Sequence, residues 1–237
     1  MIKIFTIFIF ASSLLFSKTL SATYDVSYGI FSNLGKSKAH LHVDENSNYI
    51  VRIDASAEGF AKILSNSRVE LYESYGKVVD DRLIPDVFIK TRATKSKTET
   101  KRYEFNHTKK IVSIERSKNG IKQPKEKYDF YAPDDILSLF FNSKLHTKEA
   151  QNYTAYAIGG NNKDGKIDIE FPKGTELEKI KKSLGTTRGD FLKVILNQPI
   201  FSSNRGELII NLNRDGLAEI AILEDVLLFG DILGKKR

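Results

Sequence analysis

Two apolar runs near the C-terminus flank a turn signal and predict a β-hairpin within the stretch from Gly206 to Gly234. The first arm, Glu207 to Asn213, alternates between apolar and polar residues, as a strand with one buried face does. The second arm, Leu217 to Phe229, is apolar almost throughout, which is typical of a strand covered on both faces. Arg214-Asp215-Gly216 supplies the turn, because glycine readily adopts the positive φ that tight turns need. This hairpin is predicted to close a sheet that carries a packing partner on its second face.

Alternation also predicts strands through most of the preceding chain. The clearest strand begins at Tyr24, turns at Asn33-Leu34-Gly35 and is followed by two further strands that reach Ala55. Long, mostly polar hairpin strands with thin cores are predicted between Asp86 and Tyr128. Another hairpin spans Tyr153 to Phe171, so the predicted fold class is all-β.

Two segments carry helical patterns. Ile136 to Leu145 is apolar on nearly all sides, and Asp134 is its candidate N-cap. Thr175 to Leu184 begins with the capping-box pair Thr175 and Glu178. A helix as apolar as the first one requires burial on several sides, so we assign it to the second face of the sheet. The predicted architecture is a strongly curved antiparallel sheet, or open barrel, wrapped around this short helix.

The first residues predict export. A lysine at position 3 precedes the almost wholly apolar run Ile4 to Phe16, and small residues stand at Ser17 and at Ser21-Ala22. This order is typical of a secretory signal peptide, and the run is shorter than the roughly 20 residues of a membrane span. We therefore predict a signal peptide over residues 1–22, a single β-rich domain over residues 23–237, and a location in the bacterial periplasm. No transmembrane segment is expected in the mature chain.

Composition limits how this domain is stabilised. The chain has no cysteine, which excludes both disulfides and a lipoprotein anchor. Hydrophobic residues make up 41% of the sequence, with 15 Phe and 10 Tyr, so burial can supply a sizeable core.

Positive charge is concentrated in the predicted long hairpins. Lys90 to Lys127 contains 13 Lys and Arg against 4 Asp and Glu, whereas the rest of the predicted mature chain has a net charge of −4. In the periplasm such a surface suits anionic lipid headgroups, lipopolysaccharide phosphates or an acidic envelope protein, rather than nucleic acid. The alternative is a solvated surface that keeps the sheet edge from aggregating.

The sequence contains no recognisable catalytic constellation, so we predict a non-catalytic protein without a cofactor or a metal. His40 and His42 share one strand face, but two ligands are too few for a metal site. The stretch Gly159 to Gly165 has Gly160 where a calcium loop places its first ligand, and is interpreted as a hairpin turn. Glu104-Phe105-Asn106-His107-Thr108 fits the acidic acceptor pattern of bacterial N-glycosylation, so Asn106 is a candidate modification site.

Several segments, taken in their order along the chain, resemble one bacterial family. They are the opening Tyr24-Asp25-Val26-Ser27-Tyr28 with Gly35, the pair Tyr72-Glu73-Ser74 and Leu83-Ile84-Pro85, Asp135 to Phe141, and the final strand pair ending at Phe229-Gly230. The chain is similar to the family known as domain of unknown function 3108. The resemblance implies an exported, antiparallel β-rich domain with no agreed activity. Thr175 to Leu184 departs from the family pattern, as does the absence of a proline in the last strand.

Two functions of different class follow. The first is a carrier or binding module that holds a lipid or other amphiphile inside the half-closed sheet, with the basic hairpins at the headgroup. Its candidate ligand-binding residues are Phe140, Phe141, Tyr103, Phe105, Lys101 and Arg102. The alternative is a cell-envelope accessory protein that binds a protein partner through its basic hairpins.

Overall fold

A computed structural model of the chain describes residues 17–28, 31–58, 62, 66–197, 206–223 and 231–237. These residues form a large, curved, mainly antiparallel sheet that does not close into a barrel, which confirms the predicted fold class. The first strands are β1 (Lys18–Tyr28), β2 (Phe31–Val43), β3 (Asn48–Ala57), β4 (Val69–Val79), β5 (Arg82–Ala93), β6 (Thr98–Asn106), β7 (Ile111–Lys118), β8 (Ile121–Lys122) and β9 (Glu126–Lys127). They are followed by β10 (Asp134–Asp135), β11 (Tyr153–Ile158), β12 (Lys166–Glu170), β13 (Asp190–Ile195), β14 (Glu207–Leu212), β15 (Ala218–Leu223) and β16 (Ile232–Lys236).

Two meanders make up the sheet, and they meet at its middle. Strands β1 to β8 lie side by side in sequence order, and so do β11 to β16. Antiparallel pairing of β16 with β1, from Tyr24 opposite Lys236 to Tyr28 opposite Ile232, joins the two meanders. The C-terminal hairpin was predicted to close the sheet, but it lies inside the sheet. A further strand, β16, follows it and pairs with β1. The sequence pattern did not distinguish β16 from the second arm of the hairpin.

Two helices cover opposite faces of the sheet. Helix α1 (Ile136–Asn142), extended by a 3₁₀ turn at Ser143–His146, packs in the hollow of the curve, on what we call the inner face. Helix α2 (Gly174–Leu184) packs on the outer face, where Ile180 and Leu184 contact Ile209 and Ile222. We predicted that the first helix covers the second face of the C-terminal hairpin. In the structure α1 covers only the inner face of this hairpin, and α2 covers the outer face.

The ends of the helices differ from the sequence prediction. Asp135, and not Asp134, is the N-cap of α1, and its carboxylate accepts hydrogen bonds from the backbone N–H groups of Leu137 and Ser138. The pattern could not separate two adjacent aspartates. Helix α2 begins after Lys173 without a side-chain cap, so the predicted capping box does not form, but it ends as predicted at Gly185 in the left-handed conformation.

Two predicted turns lie inside strands. Asn33-Leu34-Gly35 belongs to β2, where a Cβ on Gly35 would lie 2.3 Å from the Ser56 carbonyl oxygen, so glycine is required there by close strand approach. Pro85 is within β5 rather than ending a loop, and the β4–β5 turn is formed by Asp80 and Asp81, both with positive φ. The basic hairpins also have a fuller core than predicted, because four of their inward apolar or aromatic residues, Phe88, Tyr103, Val112 and Ile114, are buried.

The predicted signal peptide falls mainly outside the described residues, since residues 1–16 are not among them. Residues 18–22 form the start of β1 and pair with β2 from Val43 to Ala39. Cleavage after Ala22 would remove this part of the strand, whereas cleavage near Ser17 would leave β1 whole. Among the described helices, none has the length and apolar character needed to cross a membrane.

Candidate functional site

Helix α1 occupies the hollow because both its sides are apolar. Its residues Leu137 and Phe141 pack against the inner face of β1 to β7, whereas Leu139 and Phe140 pack against the inner face of β12 to β15. Ile136 contacts both cores. The helix therefore links the two meanders, in agreement with the predicted sheet wrapped on a short apolar helix.

A cavity of about 210 Å³ lies between α1 and strands β12 to β14. The described residues that line it are apolar except for Ser143 and Gly159, and Phe140 forms part of the wall on the helix side. Leu192 and Ile210 line the sheet side. A cavity lined in this way, with Ser143 as the one polar side chain among its described lining residues, offers few hydrogen-bond partners for water and favours an apolar guest.

Phe140 and Phe141, both candidate ligand-binding residues, point to different places. Their rings are 5.2 Å apart and meet edge to face. Phe140 lines the apolar cavity, whereas Phe141 packs into the core of the first meander and borders a more polar groove beside Leu83 and Asp215. Only Phe140 of this pair is placed to contact a guest in the apolar cavity.

A buried hydrogen-bonded network holds the first turn of α1 to the sheet. The Ser74 hydroxyl of β4 donates to Asp135 Oδ2 at 2.6 Å, and Tyr49 of β3 lies 2.8 Å from the Ser74 oxygen. Because the Ser74 proton is used on Asp135, the Tyr49 hydroxyl is the donor in that second bond. Asp135 and Ser74 have no exposed surface, and Tyr49 is 3% exposed.

Asp134 and Asn142 extend this network to β5. The Asn142 amide accepts a hydrogen bond from the backbone N–H of Leu83 at 2.8 Å and donates to the Leu83 carbonyl oxygen at 3.0 Å. It also lies 3.0 Å from Asp134 Oδ1, to which it donates. Arg82 donates to the other oxygen of Asp134 at 3.2 Å. Both ends of α1 are therefore fastened to neighbouring strands by polar bonds inside an apolar core.

Burial controls the ionisation of the two aspartates. It raises the pKa of Asp135 to about 7, although the hydrogen bonds from Ser74 and from two backbone N–H groups act in the opposite direction. Burial also raises the pKa of Asp134, against the opposing charge of Arg82. Burial accordingly keeps Asp135 partly protonated near neutral pH.

The basic hairpins carry many of their charges in ion pairs. Arg92 lies 2.8 Å from Glu70, which also binds Arg68, and Arg102 lies 3.1 Å from Glu104, which also binds Lys125. These ion pairs and hydrogen bonds hold the pKa of Glu70 at about 2, despite its partial burial. Glu104 is among the four acids already counted in the basic segment, so of the two only Glu70, which lies outside that segment, lowers its positive field further.

The four candidate residues on β6 do not form one site. Tyr103 and Phe105 face inwards, where Tyr103 stacks on Phe88 with ring centres 5.8 Å apart and fills the core of the first meander. Lys101 shares that inner face and is exposed at its end. Arg102 points to the outer face, because successive strand residues alternate in direction. The structure thus separates Arg102 from the other three.

Asn106 is the last residue of β6 and is exposed at the hairpin tip. Its Oδ1 accepts a hydrogen bond from the Lys109 N–H at 2.9 Å, as in a tight turn. The position is accessible from solvent, and its glycosylation stays a prediction.

The two strand histidines have local partners. His40 Nδ1 lies 2.8 Å from the Ser21 hydroxyl, and His42 Nδ1 lies 2.9 Å from the Thr19 hydroxyl. The glycine-rich loop after β11 is a turn in which Asn161 Oδ1 accepts from successive backbone N–H groups. In the part of the chain that the structure describes, no three His, Cys, Asp or Glu residues are grouped as metal ligands.

A family model described as protein of unknown function (DUF3108) matches residues 23–216. The chain belongs to the DUF3108 family. The match ends at the turn of the β14–β15 hairpin, so the second arm of that hairpin and β16 lie beyond it. No curated protein and no solved structure matches the chain.

Three segments that carry the DUF3108 resemblance meet at the buried network. Tyr72-Glu73-Ser74 supplies the serine that binds Asp135, Leu83-Ile84-Pro85 supplies the backbone bound by Asn142, and Asp135 to Phe141 is the cap and body of α1. Sequence reasoning missed the roles of Ser74, Tyr49 and Asn142. One available signal was Ser74 itself, a small polar residue at an inward position of a strand.

Proposed function

We propose that this DUF3108 protein is exported to the periplasm and binds an amphiphile whose apolar chain enters the cavity beside Phe140. The observation that supports this is the apolar cavity between α1 and the second meander. An engineered apolar cavity of about 150 Å³ in another protein stays dry and binds benzene. A cavity of about 210 Å³ is therefore large enough for part of one acyl chain.

The volume also limits the ligand. At roughly 30 Å³ for a group the size of a water molecule, the cavity holds about seven such groups. Burial of six or seven methylenes contributes about 5 kcal/mol, which corresponds to a dissociation constant in the range of about 0.1 to 1 mM before any headgroup contact. A single-chain amphiphile fits this range better than a two-chain lipid held entirely within the protein.

The alternative role, a protein partner held by the basic hairpins, receives less support. Several cations of these hairpins, among them Arg92, Arg102 and Lys125, are bound by carboxylates of the same chain. A surface that is internally paired attracts an acidic partner less strongly than its number of Lys and Arg residues suggests.

Replacing Val194 with phenylalanine tests the proposal. Val194 is half-buried in the cavity wall, so the larger ring occupies the space that the acyl chain would take. We expect the variant to fold and to lose binding of dodecanoate, measured by native mass spectrometry of detergent-free protein and by isothermal titration calorimetry. The expected loss is at least about tenfold, since most of the buried methylenes are displaced.

Val69→Phe is the matched control, because Val69 is 42% exposed on the opposite side of the sheet. It should bind dodecanoate like the unmodified protein. Equal binding by the Val194→Phe variant, or no binding by the unmodified protein, would rule out the cavity as an acyl-chain site. Fractionation of cells that produce the full chain tests export separately.

A further inference from the structure

A row of three cations crosses β5, β6 and β7 on the inner face of the first meander. Lys90 lies directly opposite Lys101, and Lys101 lies directly opposite Arg116. Each of the three cations is two residues along its strand from a buried residue, Phe88, Tyr103 or Ile114, and therefore lies on the same inner face. The cations therefore stand at the open end of an apolar surface.

This arrangement is unfavourable without a counter-charge. Residues directly opposite on antiparallel strands have Cβ atoms about 5 Å apart, and like charges in that position destabilise a sheet. Among the described residues, neither Lys90 nor Lys101 has a carboxylate within ion-pair distance, whereas Arg116 is bound by Glu126. The two lysines therefore remain as an unneutralised pair.

Nearby carboxylates are bound elsewhere. Glu70 accepts from Arg68, Arg92 and the Tyr72 hydroxyl, and Glu99 is bound by Lys97. Lys90 is also desolvated, because its ammonium lies 5.1 Å from the centre of the Tyr72 ring and the side chain is half-buried. Burial is the main cause that lowers the pKa of Lys90; the charge of Glu70 opposes this shift, whereas the neighbouring cations Arg92 and Lys101 add to it.

A concavity of about 130 Å³ lies at this point, lined by Lys90, Arg92, Glu99 and Lys101. Its volume equals roughly four water molecules, which leaves room for one tetrahedral anion. Two ammonium groups on adjacent strands can each donate to a different oxygen of such an anion, and charge-assisted bonds of this kind are the stronger hydrogen bonds of proteins.

We propose that Lys90 and Lys101, with Arg116 beside them, form a binding site for a phosphate-type anion on the inner face of β5 to β7. The site is separate from the apolar cavity and does not depend on the proposed function. The anion's source is either a free phosphate or the phosphate of a lipid headgroup. Both present the same oxygens to the lysines.

Lys101→Gln is the test variant, because Lys101 is exposed and its replacement leaves the core intact. Arg102→Gln is the matched control, since it removes the same charge from the next residue, on the opposite face. Lys101→Arg should retain the site. Binding is measured by calorimetry with inorganic phosphate at matched ionic strength, and with phosphatidylcholine vesicles that contain or lack phosphatidic acid.

We expect phosphate or the vesicles that contain phosphatidic acid to bind the unmodified protein, and Lys101→Gln to weaken that binding by about tenfold, as loss of one charge-assisted hydrogen bond would. Arg102→Gln should change it less than about twofold. If inorganic phosphate binds, a soluble anion is a sufficient ligand. If only the vesicles that contain phosphatidic acid bind, the ligand is a lipid headgroup. Equal weakening by Lys101→Gln and Arg102→Gln, or no binding of either probe, would overturn the proposal.

Thermal stability provides a second measurement. In phosphate-free buffer Lys101→Gln should melt no lower than the unmodified protein, because it relieves the repulsion between opposite lysines. Phosphate should raise the melting temperature of the unmodified protein and of Arg102→Gln more than that of Lys101→Gln. A lower melting temperature of Lys101→Gln without phosphate would show that the row is not repulsive and would contradict the inference.

Discussion

Asp135→Asn should markedly reduce a loss of stability that the unmodified protein shows as the pH rises from about 5 to about 7. The pKa of Asp135 is raised by burial to about 7, so the folded state keeps a proton that the unfolded state has already lost. A raised carboxyl pKa therefore makes the folded state less stable as the pH rises through this window. Each pH unit in which one such proton is retained changes the free energy of unfolding by about 1.4 kcal/mol.

The expected fall for the unmodified protein is on the order of 2 to 3 kcal/mol between about pH 5 and about pH 7. Urea unfolding at several pH values measures it. Asparagine preserves the cap, since its carbonyl oxygen still accepts from Leu137 and Ser138, while the Ser74 hydroxyl can turn to accept from the amide. Carboxylates with a lowered pKa, such as Glu70, complete their titration at lower pH and do not obscure the effect.

The neighbouring groups define what this experiment isolates. Asp134 also has a raised pKa and contributes a fall in the same direction, while Arg82 opposes it. The contribution of Asp135 is therefore the difference between the pH dependence of the free energy of unfolding of the unmodified protein and that of Asp135→Asn. Asp215→Asn, at an exposed turn, is the control that should keep the full pH dependence. An Asp135→Asn variant that retains the same slope would show that another group causes the effect.

Asn142→Ala should lower the free energy of unfolding by about 3 to 5 kcal/mol. Asn142 is 3% exposed and satisfies both backbone polar groups of Leu83 as well as one oxygen of Asp134. Truncation leaves these three atoms buried without that partner, and a buried polar atom left unpaired costs about 1 to 3 kcal/mol. Urea unfolding at a pH where Asp135 is protonated gives the value.

Asn106→Ala is the corresponding control. Its side chain also binds a backbone N–H, that of Lys109, but at an exposed hairpin tip where water can replace the lost bond. We expect a change below about 1 kcal/mol, because the bond is solvated. If both variants lost the same small amount of stability, the buried hydrogen bonds of Asn142 would not hold α1 to β5 as the structure indicates.

The sequence predicted the elements whose signal is local. Alternation located most strands, and the apolar segment after Asp135 located α1, because each pattern reports a side chain's own environment. The N-cap was assigned one residue too early, since Asp134 and Asp135 have the same chemistry and the choice depends on tertiary contacts. The covering of the outer face by α2 was missed, although both the helix and the apolar strand beneath it had been identified.

Long-range contacts lay beyond the pattern. Ser74 and Asp135 are 61 residues apart, and Asp25 and Arg237, which form an ion pair beside the β1–β16 junction, are 212 residues apart. Alternation also could not show that Lys90, Lys101 and Arg116 are opposite one another, because that depends on the registers of two hairpins. The basic segment was recognised as charged, but its pairing and its division between two faces needed the structure.

The junction of β16 with β1 has a consequence for how the chain folds. Each meander brings together strands that are close in sequence, whereas the central pair requires the first and last described strands. Local pairings close short loops and form quickly, and distant ones form late. We therefore expect the two meanders to form first and to dock through β1 and β16. Because synthesis proceeds from the N-terminus, the sheet can be completed only after β16 has left the ribosome.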